Sequence, residues 1–193
     1  SIAEDSENQI WLGTWAGGLC LFDPDNKSFK SFTQRNSSIK DNNIFIVFNG
    51  KEGHLWLGSF QKGLLHYDKR SNTFEQYSTA NSNLSANTVT DIKSFSDSQL
   101  LIGTSNGFNI FNTDDRQFIT YMHDPGNTNS LSNNFVNTIL KENDSVVWIG
   151  THYGLNRFNP KDGSFTCYYA KDRLADNVIE GLAIDETGRI WIS

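Results

Sequence analysis

The side chains in this sequence that could do chemistry are scattered, and one recurring short turn gathers the most suggestive of them. It reads "TWAGG", "SFQKG", "TSNG" and "THYG". The text around it repeats, whereas the turn itself varies. Its variable residues are Trp15, Phe60, Gln61, Lys62, Ser105, Asn106, His152 and Tyr153. Aromatic rings beside amides and hydroxyls are what a sugar needs: a flat apolar surface for its ring and directional partners for its hydroxyls. The competing reading is that Trp15, Phe60 and Tyr153 only cap contacts between neighbouring structural units.

Other chemistry finds little support. His54, His66, His123 and His152 lack the spacing of metal ligands, and there is no Cys/His cluster. No GxSxG elbow or phosphate-binding glycine loop is present. No catalytic residue, metal or cofactor is therefore expected. Asp and Glu fall mostly in turns such as "DPDN" and "DETG", where solvated carboxylates are the plain reading. A glycosidase pair assembled from distant segments would leave no local signature, so sequence leaves that reading open. Cys20 and Cys167 form no CxxC motif and read as separate thiols, with a disulfide left open. The sequons at Asn26, Asn36, Asn83 and Asn143 are what a chain with 22 asparagines yields by accident.

Charge and hydropathy narrow the partners. Net charge is −6 with no basic patch, so nucleic acid is not expected. No apolar run nears the roughly 18 residues of a membrane span, so no membrane insertion by this segment is expected. Residues 1–9 are polar and acidic, unlike a signal peptide, which places any targeting segment outside this chain.

The variable turns must be positioned by whatever repeats around them. Trp11, Trp56, Leu101, Trp148 and Trp191 recur at spacings of 45, 45, 47 and 43 in the phrases "WLGT", "WLGS", "LIGT", "WIGT" and "WIS". Gly18, Gly63, Gly107 and Gly154 follow, then aromatics at Phe22, Tyr67, Phe111 and Phe158, each trailed by Asp or Asn. Seven residues beyond each aromatic stands Phe29, Phe74, Phe118 or Phe165. Asn42, Asn87, Asn134 and Asn177 each precede the next anchor by 14 positions. A period near 45 without long 3.6-residue periodicity points away from helical repeats. Segments such as "NIFIVF", "HLWLGS", "GLLHYD" and "TFEQY" are strand-length and separated by turn residues. Four strands per repeat make a propeller blade.

This assigns each recurring residue a structural task. Middle strands buried on both faces explain the near-continuous apolar runs. The Gly of "WLG" allows close backbone approach, and the Gly before the third strand takes positive φ. Asp23 and its equivalents open Asx turns, and Asn42 and its equivalents bond loop backbone. The variable turns should share one face with the loops of the "NSNLSAN" type. Blades are expected at about 1–32, 43–77, 88–121 and 135–168, with a further blade begun at 178–193.

The unit "LSxNxVxxI…G-x-(I/L)-W-(I/L)-G-T-x-x-G-L-x-x-F…F-x-x-Y" resembles the two-component regulator propeller repeat. Leu101 in place of Trp, and "SDSQL" in place of a glycine turn, are the third copy's departures from it. The resemblance implies an all-β, seven-bladed propeller of four-stranded antiparallel blades. It implies the periplasmic sensor region of a hybrid two-component receptor, anchored in the inner membrane of Bacteroidetes-type bacteria. It further implies oligosaccharide sensing that controls polysaccharide utilisation. Seven blades at this period need roughly 300 residues, so a fragment of about four blades is expected, open at its ends. Open blade edges predict self-association, either as receptor dimers or as two halves pairing into a ring. The expected ligand site is Trp15, Phe60, Gln61, Lys62, Asn106, His152 and Tyr153. Two other readings stay open. One is a non-catalytic interaction or dimerisation scaffold. The other is a propeller polysaccharide lyase or glycosidase, in which one carboxylate or His152 would be essential.

Overall fold

The computed structural model describes residues 1–51 and 53–193. It is built from β-strands, with one short 3-10 turn, Ala170–Asp172. Strands β1 (Ile2–Glu4), β2 (Ile10–Gly13), β3 (Leu19–Asp23) and β4 (Ser28–Phe32) form the first sheet in sequence order. The second holds β5 (Ile44–Asn49), β6 (His54–Ser59), β7 (Leu64–Asp68) and β8 (Thr73–Tyr77). The third holds β9 (Val89–Ser96), β10 (Gln99–Thr104), β11 (Gly107–Asn112) and β12 (Phe118–Tyr121). The fourth holds β13 (Val136–Asn143), β14 (Val146–Thr151), β15 (Gly154–Asn159) and β16 (Ser164–Tyr168). A hairpin of β17 (Leu182–Ile184) and β18 (Ile190–Ile192) follows. These sheets are propeller blades. Among the described residues, no helix is long and apolar enough to cross a membrane.

Residues pack into two compact units, Ser1–Ile92 and Lys93–Ser193. In the first, β5 lies beside β1 and β2. Trp11, Leu19, Phe32, Leu55, Leu57, Leu65, Tyr67 and Phe74 form its core. In the second, β13 lies beside β10 and β17, and Leu101, Phe108, Val147, Ile149, Phe158 and Phe165 form the core. Middle strands are buried on both faces, as their apolar runs require: Leu55–Ser59 and Leu100–Thr104 are buried without a break. Leu101, standing where other copies have Trp, is fully buried.

The recurring small and polar residues hold the blades in register. A Cβ on Gly58 would sit 2.8 Å from Val89 Cγ1, so this glycine lets the second sheet's middle strand meet the start of β9. Gly63 has φ +83°, as the turn before β7 demands. The side-chain oxygens of Asn42, Asn87, Asn134 and Asn177 accept from the backbone N–H of Gln34, Thr79, His123 and Ala170 at 2.7–2.9 Å. The same residues' carbonyls accept from the N–H of Gly18, Gly63, Gly107 and Gly154 at 2.6–2.8 Å. Each Asn thus ties its loop to a variable turn, which puts both on one face. Asx turns open the last hairpin of each blade, for example at Asp68, whose Oδ1 accepts from Arg70 N–H at 2.8 Å.

A second device was hidden in the sequence. The indole N–H of Trp11 donates to Asp5, that of Trp148 to Glu142 and that of Trp191 to Asp185, at 2.7, 2.6 and 3.0 Å. Each acid lies six residues before its tryptophan. Leu101 has no side-chain N–H to satisfy, and Phe95 stands at that offset. Asp5 does more than its counterparts. Its side chain is 1% exposed and also meets Lys69 Nζ at 2.7 Å, which bolts the first blade to the β7–β8 turn of the second. Its other oxygen accepts from the backbone N–H of Glu7 and Gln9.

Candidate functional site

Three aromatic rings gather on the first unit. The β2–β3 turn presents Trp15, 65% exposed. Its ring stacks on Phe45 at 5.6 Å and 17°, and leans on Phe60 of the β6–β7 turn at 5.3 Å and 58°. Phe45 and Phe60 meet edge-on at 5.4 Å. Rings so arranged are held in place before any ligand arrives, which lowers the entropy cost of binding on them. Trp15 thus packs across two blades, as a cap would, and still leaves 65% of its surface exposed.

Polar bonds fix the two turns that carry these rings. Asp41, buried in the loop before β5, accepts from the Gln61 backbone N–H at 3.0 Å and the Asn43 N–H at 3.0 Å. Asn43 Oδ1 in turn accepts from Ala16 N–H at 2.9 Å, where Ala16 has φ 65°. The Phe60 carbonyl accepts from the Thr88 hydroxyl at 2.6 Å. Gln61 and Lys62, which follow Phe60 in the same turn, are held through their backbone N–H groups and are exposed. The turn that carries the Phe60 ring thus also carries two exposed polar residues.

The second unit carries the remaining predicted residues. His152 stacks on Phe135 at 3.9 Å and 10°, and its backbone N–H donates to the Phe135 carbonyl. Tyr153, 54% exposed, tilts against Tyr169 at 5.7 Å. Asn106 is exposed in its own turn, its N–H donating to Thr104 Oγ1 at 3.1 Å. The seven residues read from the sequence as one site thus fall into two groups, Trp15, Phe60, Gln61 and Lys62 on the first unit and Asn106, His152 and Tyr153 on the second, and the reading did not include their neighbours Phe45, Asp41, Asn43, Phe135 and Tyr169. Each missed residue lies in or beside a loop leading from one blade to the next.

His66 stacks on Trp56 at 4.4 Å, and burial with neighbouring His54 pushes its pKa down. Among the described residues, no group of three or more His, Cys, Asp or Glu could hold a metal ion. Cys20 and Cys167 are free thiols, and burial raises the pKa of Cys167, so that the inert thiol form dominates.

Comparison with known proteins fits this architecture. Residues 130–153 match the family described as "Two component regulator propeller". That stretch is a two component regulator propeller repeat. It runs from the loop before β13 through "WIGTHY", so the repeat contains the Asn134 tie and two of the predicted site residues. No curated protein matches the chain by sequence. Among solved structures, it is similar to the extracellular domain of BT3049 from B. thetaiotaomicron, named as a hybrid two component system. The TM-score is 0.72 at 19% identity, covering 95% of this chain and 30% of that one. BT4673 of the same organism, also an extracellular domain, gives 0.79 at 23% identity, covering 99% and 27%. PorZ, a surface component of the type-IX secretion system of Porphyromonas gingivalis, gives 0.77 at 15% identity, covering 100% and 30%. The chain thus spans under a third of the length of each, and what it shares with them is the propeller fold.

Proposed function

We propose that this chain is part of the periplasmic sensor propeller of a hybrid two-component receptor, and that it recognises an oligosaccharide without transforming it. The carrying observation is the Trp15–Phe45–Phe60 cluster, in which an exposed indole is stacked on half-buried Phe45 and leans on half-buried Phe60, with the exposed polar residues Gln61 and Lys62 following Phe60 in its turn. The propeller repeat and the likeness to two component extracellular domains support the sensor setting. Binding would act by differential affinity: a glycan that fits one arrangement of the receptor better shifts the population toward it.

A thermal-shift screen against plant and host oligosaccharides tests this. A ligand at 100 times its Kd should stabilise by about 2.7 kcal/mol. Trp15→Ala is expected to weaken binding at least tenfold, while Tyr153→Ala leaves a platform-bound ligand unaffected. No stabilisation by any sugar would contradict the proposal, and release of cleaved products would favour the lyase or glycosidase reading. Assembly between copies is a second reading, favoured by Phe29 on β4 and Ile119 on β12, which are 63% and 55% exposed. It predicts concentration-dependent association that Phe29→Ser or Ile119→Ser reduces, measured by sedimentation.

A further inference from the structure

A groove of about 330 Å³ opens on the second unit, lined by Tyr153, Tyr169, Lys171 and Asn177. We propose that it is a separate carbohydrate subsite selective for a sugar that carries an acid group. The volume lies within the range of small-ligand sites, roughly 300–1,000 Å³. The exposed Tyr153 ring, inclined at 47° to Tyr169, gives a pyranose ring a surface to lie on. Lys171 sits with Nζ 5.3 Å from the Tyr169 ring centre, which keeps its ammonium at the groove.

The groove's charge is what assigns the ligand class. Among the described residues no carboxylate forms an ion pair with Lys171. The two acids nearest in sequence are held by backbone donors, not by Lys171: Asp172 Oδ2 accepts from the Tyr169 N–H at 3.0 Å, keeping its charge beside that ring, and Asp176 Oδ1 accepts from the Val178 N–H at 3.1 Å. Asn177 is fixed through both its oxygens, by Ala170 N–H and Gly154 N–H, which leaves its amide NH₂ as a donor. An ammonium, an amide NH₂ and a phenol make a donor-rich wall, and such a wall suits a carboxylate better than a neutral hydroxymethyl group. In a chain of net charge −6 an acidic ligand is repelled at long range, so this unmatched cation is the feature that would admit one.

This inference takes its ligand class from the oligosaccharide reading but uses different residues. Calorimetric titration of the 193-residue chain with digalacturonic acid, neutral galactobiose and sodium sulfate separates the two. The acidic sugar is expected to bind at least tenfold tighter than the neutral one, and more weakly as salt rises. Lys171→Met should erase that preference, Tyr153→Ala should weaken binding of the acidic sugar, and Trp15→Ala should leave it intact. Equal affinity for both sugars, no binding of the acidic one, or a preference that survives Lys171→Met would overturn the inference. So would sulfate displacing digalacturonate at equal concentration, which would mark a plain anion site. If Trp15→Ala changes the binding of no sugar while Lys171→Met erases the acid preference, the platform reading falls and this one stands.

Discussion

Replacing Asp5 with alanine is expected to destabilise the first unit by about 3 kcal/mol. The carboxylate is 1% exposed and holds four donors: the Trp11 indole, Lys69 Nζ and two backbone N–H groups. Truncation leaves the indole N–H without a partner inside the core and Lys69, itself 12% exposed, without its closest counter-charge. Breaking a buried pair costs about 3–5 kcal/mol, and the low end applies because Glu7, at 3.3 Å from Lys69, stays in place. Urea unfolding checks the value. The double change Asp5→Leu with Lys69→Met should recover part of the loss, since it removes both charges together.

The same group sets a pH dependence. Burial pushes the Asp5 pKa up, but Lys69, the Trp11 indole and the backbone N–H groups of Gln9 and Glu7 outweigh it, so the folded-state value lies below the ordinary 3.8. A depressed folded pKa means that the unfolded chain takes up the proton first. The stabilisation is therefore complete above pH 3.8 and is lost as pH falls through the folded value. Asp5→Asn should flatten the loss of stability in that acid window, and an unchanged acid profile would contradict the assignment.

Gly63→Ala is expected to cost about 2–5 kcal/mol, by two additive routes. The left-handed backbone, φ +83°, penalises a Cβ by about 1–2 kcal/mol. The added carbon would also lie 2.1 Å from the Tyr77 carbonyl oxygen and 3.1 Å from Leu84 Cδ2, and a backbone oxygen cannot step aside without moving β8; overpacking of this kind costs about 1–3 kcal/mol. Gly188 isolates the first route, because it has φ +80° and a Cβ there would meet nothing within 4 Å. Gly188→Ala should cost only about 1–2 kcal/mol. Equal losses at the two sites, read by thermal unfolding, would show that the contact with Tyr77 carries no weight.

Those two glycines show what a repeating sequence makes legible. Gly63 recurs as Gly18, Gly107 and Gly154 because the chain enters the third strand of every blade at positive φ, and periodicity exposes any constraint that every blade shares. The Asn ties, the Asx turns and the doubly buried middle strands were readable for that reason. Trp15 and Phe60 stood out by the opposite logic, as departures within a constant frame. What periodicity could not show is which residue of one blade lands beside a residue of the next. Phe45 lies in the run "NIFIVF" and reads as an ordinary strand residue, yet the stagger between two sheets brings its ring under Trp15. Asp41 has Asn133 and Asp176 as counterparts, each accepting from the backbone N–H two residues on, so the position reads as another local turn; its bond to the Gln61 N–H in the next turn is what the sequence does not show. Tyr169 follows the recurrent Tyr168 and looks like part of strand chemistry until the turn after β16 sets it opposite Tyr153.

The central claim is that the aromatic platform on the first unit receives the sugar. The most direct measurement follows the indole N–H resonance of Trp15, assigned through Trp15→Phe, while the best oligosaccharide of the screen is titrated into the chain. The account predicts that this resonance moves with saturation at the Kd found by calorimetry, and that Phe45→Ala weakens binding by removing the support beneath the ring. Saturable binding that leaves the Trp15 signal where it was would contradict it.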